Sequence, residues 1–168
     1  MAVGLFVAPL FEDSELIYPY YRLQEAGYTV LRIGTKAGQF ESKHGLPMEA
    51  EVAASEVDAE QLEGLVIPGG YGPDHLRRDQ ATIELTRQVF EAGKPVAAIC
   101  HAGWLLASAG IIEGRRLTSF FSIKDDMVNA GAKWLDESVV VDGNLITSRY
   151  PGDLPAFMEA TLDALQKA

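Results

Sequence analysis

The chain has 168 residues, 48% of them hydrophobic and 9% aromatic, which suffices for one sizeable core and is too short for two ordinary domains, so one domain over residues 1–168 is expected. Fourteen basic against 24 acidic side chains leave a net charge of -10 with no block of Lys and Arg, which disfavours nucleic acid and anionic membranes as partners. No apolar run is long enough to span a bilayer, and the N-terminal "MAVGLFVAPLFEDSEL" lacks a basic flank, so a cytoplasmic location is expected.

In chain order, "VGLFVAP" is a continuous apolar run ended by Pro9, as expected of a strand covered on both faces. A helix should follow, capped by Asp13 or Ser14, apolar at Leu16, Ile17, Tyr20, Leu23 and Ala26, kinked at Pro19 and closed by Gly27. "YTVLRIG" and "GLVIPGG" are the second and third strands, and "SKHGLPMEAEV" between them reads as a small strand or hairpin excursion. Residues 80–92 form a helical pattern with apolar Ile83, Leu85, Val89 and Phe90; "GKP" ends it, "VAAIC" is the next strand, and a short helix begins at His101. Beyond Gly110, "GRRLTSF" suggests a strand, "SIKDDMVNAG" a short helix stopped by Gly131, and "SVVVDGNLITS" a hairpin turning at Asp142-Gly143. The final helix is the clearest element: Leu154, Phe157, Met158, Thr161, Leu162 and Leu165 form one apolar stripe, with Asp153 as its cap and Pro155 in the tolerant first turn. Alternating apolar strands and amphipathic helices imply an α/β three-layer sandwich with a mostly parallel sheet and a small antiparallel hairpin.

In such a sheet the ligand crevice lies at the carboxyl ends of the strands, where strand order reverses. Three loops should converge there, carrying Glu12, the pair Gly69 and Gly70, and Cys100. Cys100 is the only cysteine and His101 one of three histidines, so neither a disulfide nor a recognised zinc spacing is available, and no metal or cofactor is expected. A lone cysteine ending an apolar strand is by base rate a core filler. Mounted on a strand-to-helix turn, it is instead held toward the crevice with the amides of the helix start aimed at it, and the helix start and a neighbouring imidazolium should lower its pKa. His101, the small shoulder at Gly103, Glu12 and the glycine pair at one edge favour the nucleophile. Glu12, beside a thiolate, should hold its proton and donate a hydrogen bond to the sulfur. Asp125 and Asp126 read as a solvated first turn, and His44 and His75 as surface residues.

"FEDSELIYPYYRLQEAGY", "KHG", "LVIPGGYGPD", "GKPVAAICHAGWLLASAG", "GRRLTS", "IKDDMVNAGAKW" and "VVVDGNLITSR" together resemble the PfpI intracellular protease branch of the DJ-1/PfpI superfamily, over essentially the whole chain. The resemblance implies a flavodoxin-like sandwich, a homo-oligomer built from dimers and a Cys100–His101 pair. It also implies a carboxylate reaching that pair from a second copy; the matching position is Asp74, where Glu is usual, so this chain is one methylene short. Glu12 matches the acidic residue beside the thiol, and the amides of Gly70 and His101 match the anion-stabilising donors. Phe120 occupies a pocket position where relatives often carry Tyr or Trp, and Tyr18 is expected nearby. No histidine follows His101, which argues against the related glutamine amidotransferases. The activities the resemblance implies are peptidase, glyoxalase and deglycase, and a small apolar pocket favours small reactive carbonyls such as methylglyoxal or early sugar adducts over a polypeptide. A non-enzymatic oxidant sensor or chaperone is the alternative from a different class.

Overall fold

The computed structural model describes residues 1–168. Its frame is a seven-stranded sheet whose strands come from β1 (Ala2–Phe6), β2 (Val30–Gly34), β5 (Val52–Ala53), β6 (Leu62–Ile67), β7 (Val96–Ile99), β10 (Val140–Asp142) and β11 (Leu145–Ser148). The spatial order is β10-β11-β7-β6-β1-β2-β5, parallel throughout except for the β10–β11 pair. The chain winds outward from β1 through β2 to β5, then returns to the other side of β1 with β6, so the switch point lies between β1 and β6. Β-rich segments outside this frame form two small sheets: the antiparallel pair β3 (Gly38–Glu41) and β4 (Pro47–Ala50), and the parallel pair β8 (Arg116–Leu117) and β9 (Lys133–Trp134). The expected strand over "GRRLTSF" therefore shrinks to two residues, and its partner β9 has no sequence signal of its own.

Helices α1 (Asp13–Glu25), α2 (Gly72–Leu76), α3 (Gln80–Glu91), α4 (Gly103–Ala109), α5 (Lys124–Asn129) and α6 (Leu154–Lys167) cover both faces. Two apolar cores result, one on each side of the sheet, the first centred on Ile67, Leu85 and Leu105 and the second on Leu5, Leu16 and Phe157. All six stripe residues of α6 are buried, because a 3.6-residue period over three turns leaves one face no solvent.

Helix ends depart from expectation in instructive ways. Helix α1 runs unbroken through Pro19, and neither Asp13 nor Ser14 caps it; Glu12 holds the cap position without a side-chain bond. Asp13 instead accepts from Ser42 Oγ at 2.7 Å and contacts His44 Nδ1 at 2.9 Å, because the β3–β4 excursion folds back over this loop. Asp153 does not cap α6 either: buried at its start, it accepts from the backbone N–H and the guanidinium of Arg149. Gly27 closes α1 at φ +90, a conformation that costs glycine least. The β10–β11 turn consists of Gly143 and Asn144, one residue later than expected, since Asp142 still pairs with Leu145. No helix is long and apolar enough to cross a membrane.

Candidate active site

The carboxyl ends of β1, β6 and β7 meet at a crevice of about 290 Å³, lined among others by Glu12, Glu15, Lys43, Gly70, Cys100, His101 and Phe120. Its sharpest feature is Cys100, which leaves β7 at φ +64 and begins a short 3-10 turn, Cys100–Ala102, that runs into α4. A residue with a Cβ in the left-handed region costs on the order of 1–3 kcal/mol and persists only where its surroundings over-determine it. Here they do. Phe120 N–H donates to the Cys100 carbonyl at 3.2 Å, and neighbouring glycines clear the space. A Cβ on Gly69 would lie 2.6 Å from that of Cys100, and one on Gly103 would lie 2.7 Å from Met127 Sδ. Gly70, at φ +73, pairs with Phe11 and brings the β6 loop against the β1 loop.

The Cys100 sulfur lies 3.1 Å from His101 Nδ1, and His101 Nε2 lies 3.3 Å from Ser122 Oγ. The imidazole is held on its faces and edge by aromatic rings: Phe120 stacks at 5.1 Å and 29°, and Trp104 meets it edge-on at 5.1 Å. Phe120 thus sits in the crevice as expected, packed on the histidine. The backbone N–H groups of Gly70 and His101 are directed at the sulfur and pull its pKa down. Burial wins nonetheless. Cys100 is only 8% exposed, and desolvation, followed by the negative charge of Glu15, pushes the thiol up to about 12. The lowered thiol pKa expected from the helix start is therefore reversed, because those amides act on a sulfur that has lost its water. Burial, and then the Lys43 charge, holds His101 below its ordinary value. At rest the pair is a neutral thiol beside a neutral imidazole.

The acid against the thiol is Glu15 and not Glu12. Glu15 is fully buried in the first turn of α1; its Oε2 accepts from Gly69 N–H at 2.8 Å, its Oε1 has no partner within the chain, and its carboxyl adjoins the Cys100 sulfur. Burial, opposed by the Gly69 amide and reinforced by the charge of Glu12, pushes the Glu15 carboxyl up to about 8, so it carries a proton at neutral pH. Glu12 precedes the helix and turns to the rim, where Lys43 Nζ reaches it at 3.0 Å. One helical turn separates the two carboxylates, and the stripe of Glu15, Leu16, Pro19 and Leu23, buried together, is the signal that selects the second.

Two other expected site residues lie elsewhere in this chain. Tyr18 falls outside that buried stripe and lines an α1–α6 surface cleft with Arg22 and Glu159; Tyr71 and Tyr150 border the crevice in its place. Asp74, in α2, is ion-paired with Arg78 one turn on and does not line the crevice. Glu12, Asp13 and His44 offer three potential ligand atoms within 4.8 Å of one another at the rim. Lys43, Ser42 and His44 already engage those carboxylates, so the cluster is satisfied from within.

An imidazole nitrogen 3.1 Å from a thiol in a strained backbone, at the carboxyl edge of a mostly parallel sheet covered by helices on both faces, places the chain in the class of α/β-sandwich proteins. The model of the DJ-1/PfpI family matches residues 1–164, and the chain belongs to that family. It is 45% identical over 166 residues to deglycase PfpI of Pyrococcus furiosus, covering 99% of this chain and 100% of that one. It is 41% identical over 168 residues to protein/nucleic acid deglycase 2 of Escherichia coli, covering 97% and 96%. Among solved structures, a two-domain protein of Anabaena variabilis with DJ-1/ThiJ/PfpI-like and ferritin-like domains superposes with a TM-score of 0.96 at 40% identity, over 98% of this chain and 48% of that one.

Proposed function

We propose that the protein is a cysteine-dependent enzyme of reactive carbonyls, acting on methylglyoxal or on early glycation adducts. The observation that carries this reading is the Cys100 sulfur 3.1 Å from His101 Nδ1 at the base of a crevice of about 290 Å³, a volume suited to a small carbonyl. Relatives named as deglycases support the substrate class. Cys100 adds to the carbonyl carbon while its S–H proton passes to His101 Nδ1; the alkoxide that forms lies near the amides of Gly70 and His101 and is reprotonated by the imidazolium, giving a hemithioacetal. For methylglyoxal, moving the former aldehyde proton to the adjacent carbonyl carbon through an enediol yields a thioester, which water cleaves to the 2-hydroxy acid and the free thiol. For a glycated amine in its hemiaminal form, the sulfur displaces nitrogen at the carbon that bears the hydroxyl, with the thiol proton passing through His101 to the departing amine; the same hemithioacetal results, and its rearrangement to the thioester and hydrolysis release the 2-hydroxy acid and the free thiol. Neutral Glu15 donates a hydrogen bond to the sulfur without adding charge.

One observation favours a second role at the same atoms: the unpartnered Glu15 Oε1 beside the sulfur is placed to donate a hydrogen bond to a Cys100 sulfinate, which suits an oxidant sensor. In this reading Asp74 acts in a homo-oligomer, from a second copy. The deciding assay follows methylglyoxal, a glycated amino acid and casein in parallel with wild type and Cys100→Ala. Loss of carbonyl turnover by at least roughly 10³-fold in the variant is expected. Equal turnover by both proteins removes the thiol mechanism, and cleavage of casein alone reverses the substrate ranking toward peptidase.

A further inference from the structure

A second cavity, of about 340 Å³, adjoins the crevice and shares a wall with it. Tyr150 lines both, and the successive rings of Phe120 and Phe121, 4.7 Å apart, line one each. Its other sides are held in place. Trp134 Nε1–H donates to Ser119 Oγ at 2.9 Å, and Lys124 Nζ lies over the Trp134 ring at 5.1 Å. Arg149 is clamped, with Nε and Nη2 donating to the buried Asp153 and Nη1 to Asp136 at 2.9 Å, and its guanidinium lies 4.8 Å over the Tyr150 ring.

The polar groups of this cavity are only partly used. A guanidinium carries five N–H donors, so the three side-chain bonds leave one donor on each terminal nitrogen of Arg149. Asp136 engages one oxygen with Arg149, and its side chain is 71% exposed with the other oxygen free. A free carboxylate acceptor beside free guanidinium donors matches the α-ammonium and α-carboxylate of an amino acid. The exposed rings of Phe121 and Tyr150 offer apolar surface to an aliphatic stem.

We propose that this cavity is an amino-acid subsite, in which Asp136 holds the α-ammonium and Arg149 the α-carboxylate of a free lysine-type amino acid whose side-chain amine carries the adduct past Tyr150 to Cys100. The inference rests on the carbonyl reading of the crevice and deepens it by naming the preferred glycated amine. Within a polypeptide both α-groups are uncharged amides, so the Arg149–Asp136 pair has nothing to recognise there. The chemistry is unchanged: sulfur displaces the side-chain nitrogen of the hemiaminal, and the free amino acid departs with the thiol proton.

The test labels the chain with 5-fluorotryptophan and follows the fluorine NMR signals of Trp104 and Trp134, its two tryptophans. Three unreactive amides serve as probes: Nε-acetyl-L-lysine, N-butylacetamide, which lacks the head, and Nα,Nε-diacetyl-L-lysine methylamide, whose head is neutral. Nε-acetyl-L-lysine should shift Trp134 and bind roughly 3- to 10-fold more tightly than either of the others. Asp136→Asn should erase that margin, with Asp153 still holding Arg149, whereas Asp163→Asn in the cavity beside the end of α6 should keep it. Saturating Nε-acetyl-L-lysine should also protect Cys100 from iodoacetamide. Equal affinity for the three probes, a margin that survives in Asp136→Asn, or a Trp134 shift without protection of Cys100 overturns the proposal. If Cys100 resists alkylation even without ligand, the thiol reading fails by itself, and the affinity comparison alone decides the subsite.

Discussion

Two cavities at opposite ends of the sheet make an informative pair. The larger, about 450 Å³, opens between the β10–β11 turn and the end of α6, lined by small residues such as Gly93, Ala160 and Ala164, with Asp163 and Lys167 at its edge. It contains no strained residue with a Cβ and no buried titratable group. The smaller, about 290 Å³, gathers Cys100 at φ +64, fully buried Glu15 and half-buried His101. Volume therefore points away from the chemistry, while stored strain and desolvated acid point toward it. The α6 end is built for stability, and the crevice is built at the expense of stability.

The difference should appear first in the melting of core variants. Phe157 is fully buried on the α6 stripe and is not among the residues lining the crevice. Phe157→Ala should lower unfolding free energy by about 3–5 kcal/mol, the usual cost of removing a buried aromatic ring. Activity per folded molecule should stay near wild type. A denaturant titration alongside an active-site thiol count checks both, and a collapse of activity without loss of stability would erase the division between the two ends.

A second, smaller effect reads the buried acid. Glu15 is held at about 8 in the folded chain against an ordinary value of 4.5, so the native state binds its proton more tightly than the unfolded state. Its stabilising contribution is then fully present below the unfolded pKa and is lost as pH rises toward about 8, above which no further loss occurs from this group. Wild type should lose melting temperature between pH 5 and 8, corresponding to a few kcal/mol at most, and Glu15→Gln should flatten that slope. Parallel curves for the two proteins would mean that the carboxyl is ionised and solvated in solution.

How much of this was readable in advance divides along the same line. Helix α6, the parallel strands and the convergence of Glu12, Gly70 and Cys100 on one edge follow from periodicity and chain order, which are local properties. The identity of the acid does not, because Glu12 and Glu15 straddle a helix start and only the helical phase, fixed by Leu16, Pro19 and Leu23, turns one inward. The thiol pKa was misjudged for a related reason: the helix start next to Cys100 is visible in sequence, whereas the desolvation that outweighs it depends on Phe11, Ile99 and Leu154 packing in the same core. Ser122 and Tyr150 reach the crevice from 21 and 50 residues beyond His101 and Cys100 respectively, with no motif to announce them. Tyr18 shows the converse error, a suitable residue type on the right helix but on its solvent side.

The smallest predicted effect separates the two carboxylates most directly, because its sign differs between them. If Glu12 donated to the sulfur, removing its carboxyl would slow Cys100. The structure instead ties Glu12 to Lys43 at 3.0 Å, with side chains 19% and 36% exposed, a pair of the kind worth at most about 1 kcal/mol. Lys43 also feels the charge on Cys100, and the charge of Glu12 raises Glu15. Glu12→Gln therefore releases a positive charge at the mouth of the crevice and withdraws a negative one, both of which favour the thiolate. Alkylation of Cys100 by iodoacetamide should accelerate, by no more than about two-fold at 0.15 M salt, where the Debye length of about 8 Å still lets the rim be felt. The gain should vanish at 1 M salt, where that length falls to about 3 Å. A slower reaction in Glu12→Gln, insensitive to salt, would return the hydrogen bond to Glu12 and take it from Glu15.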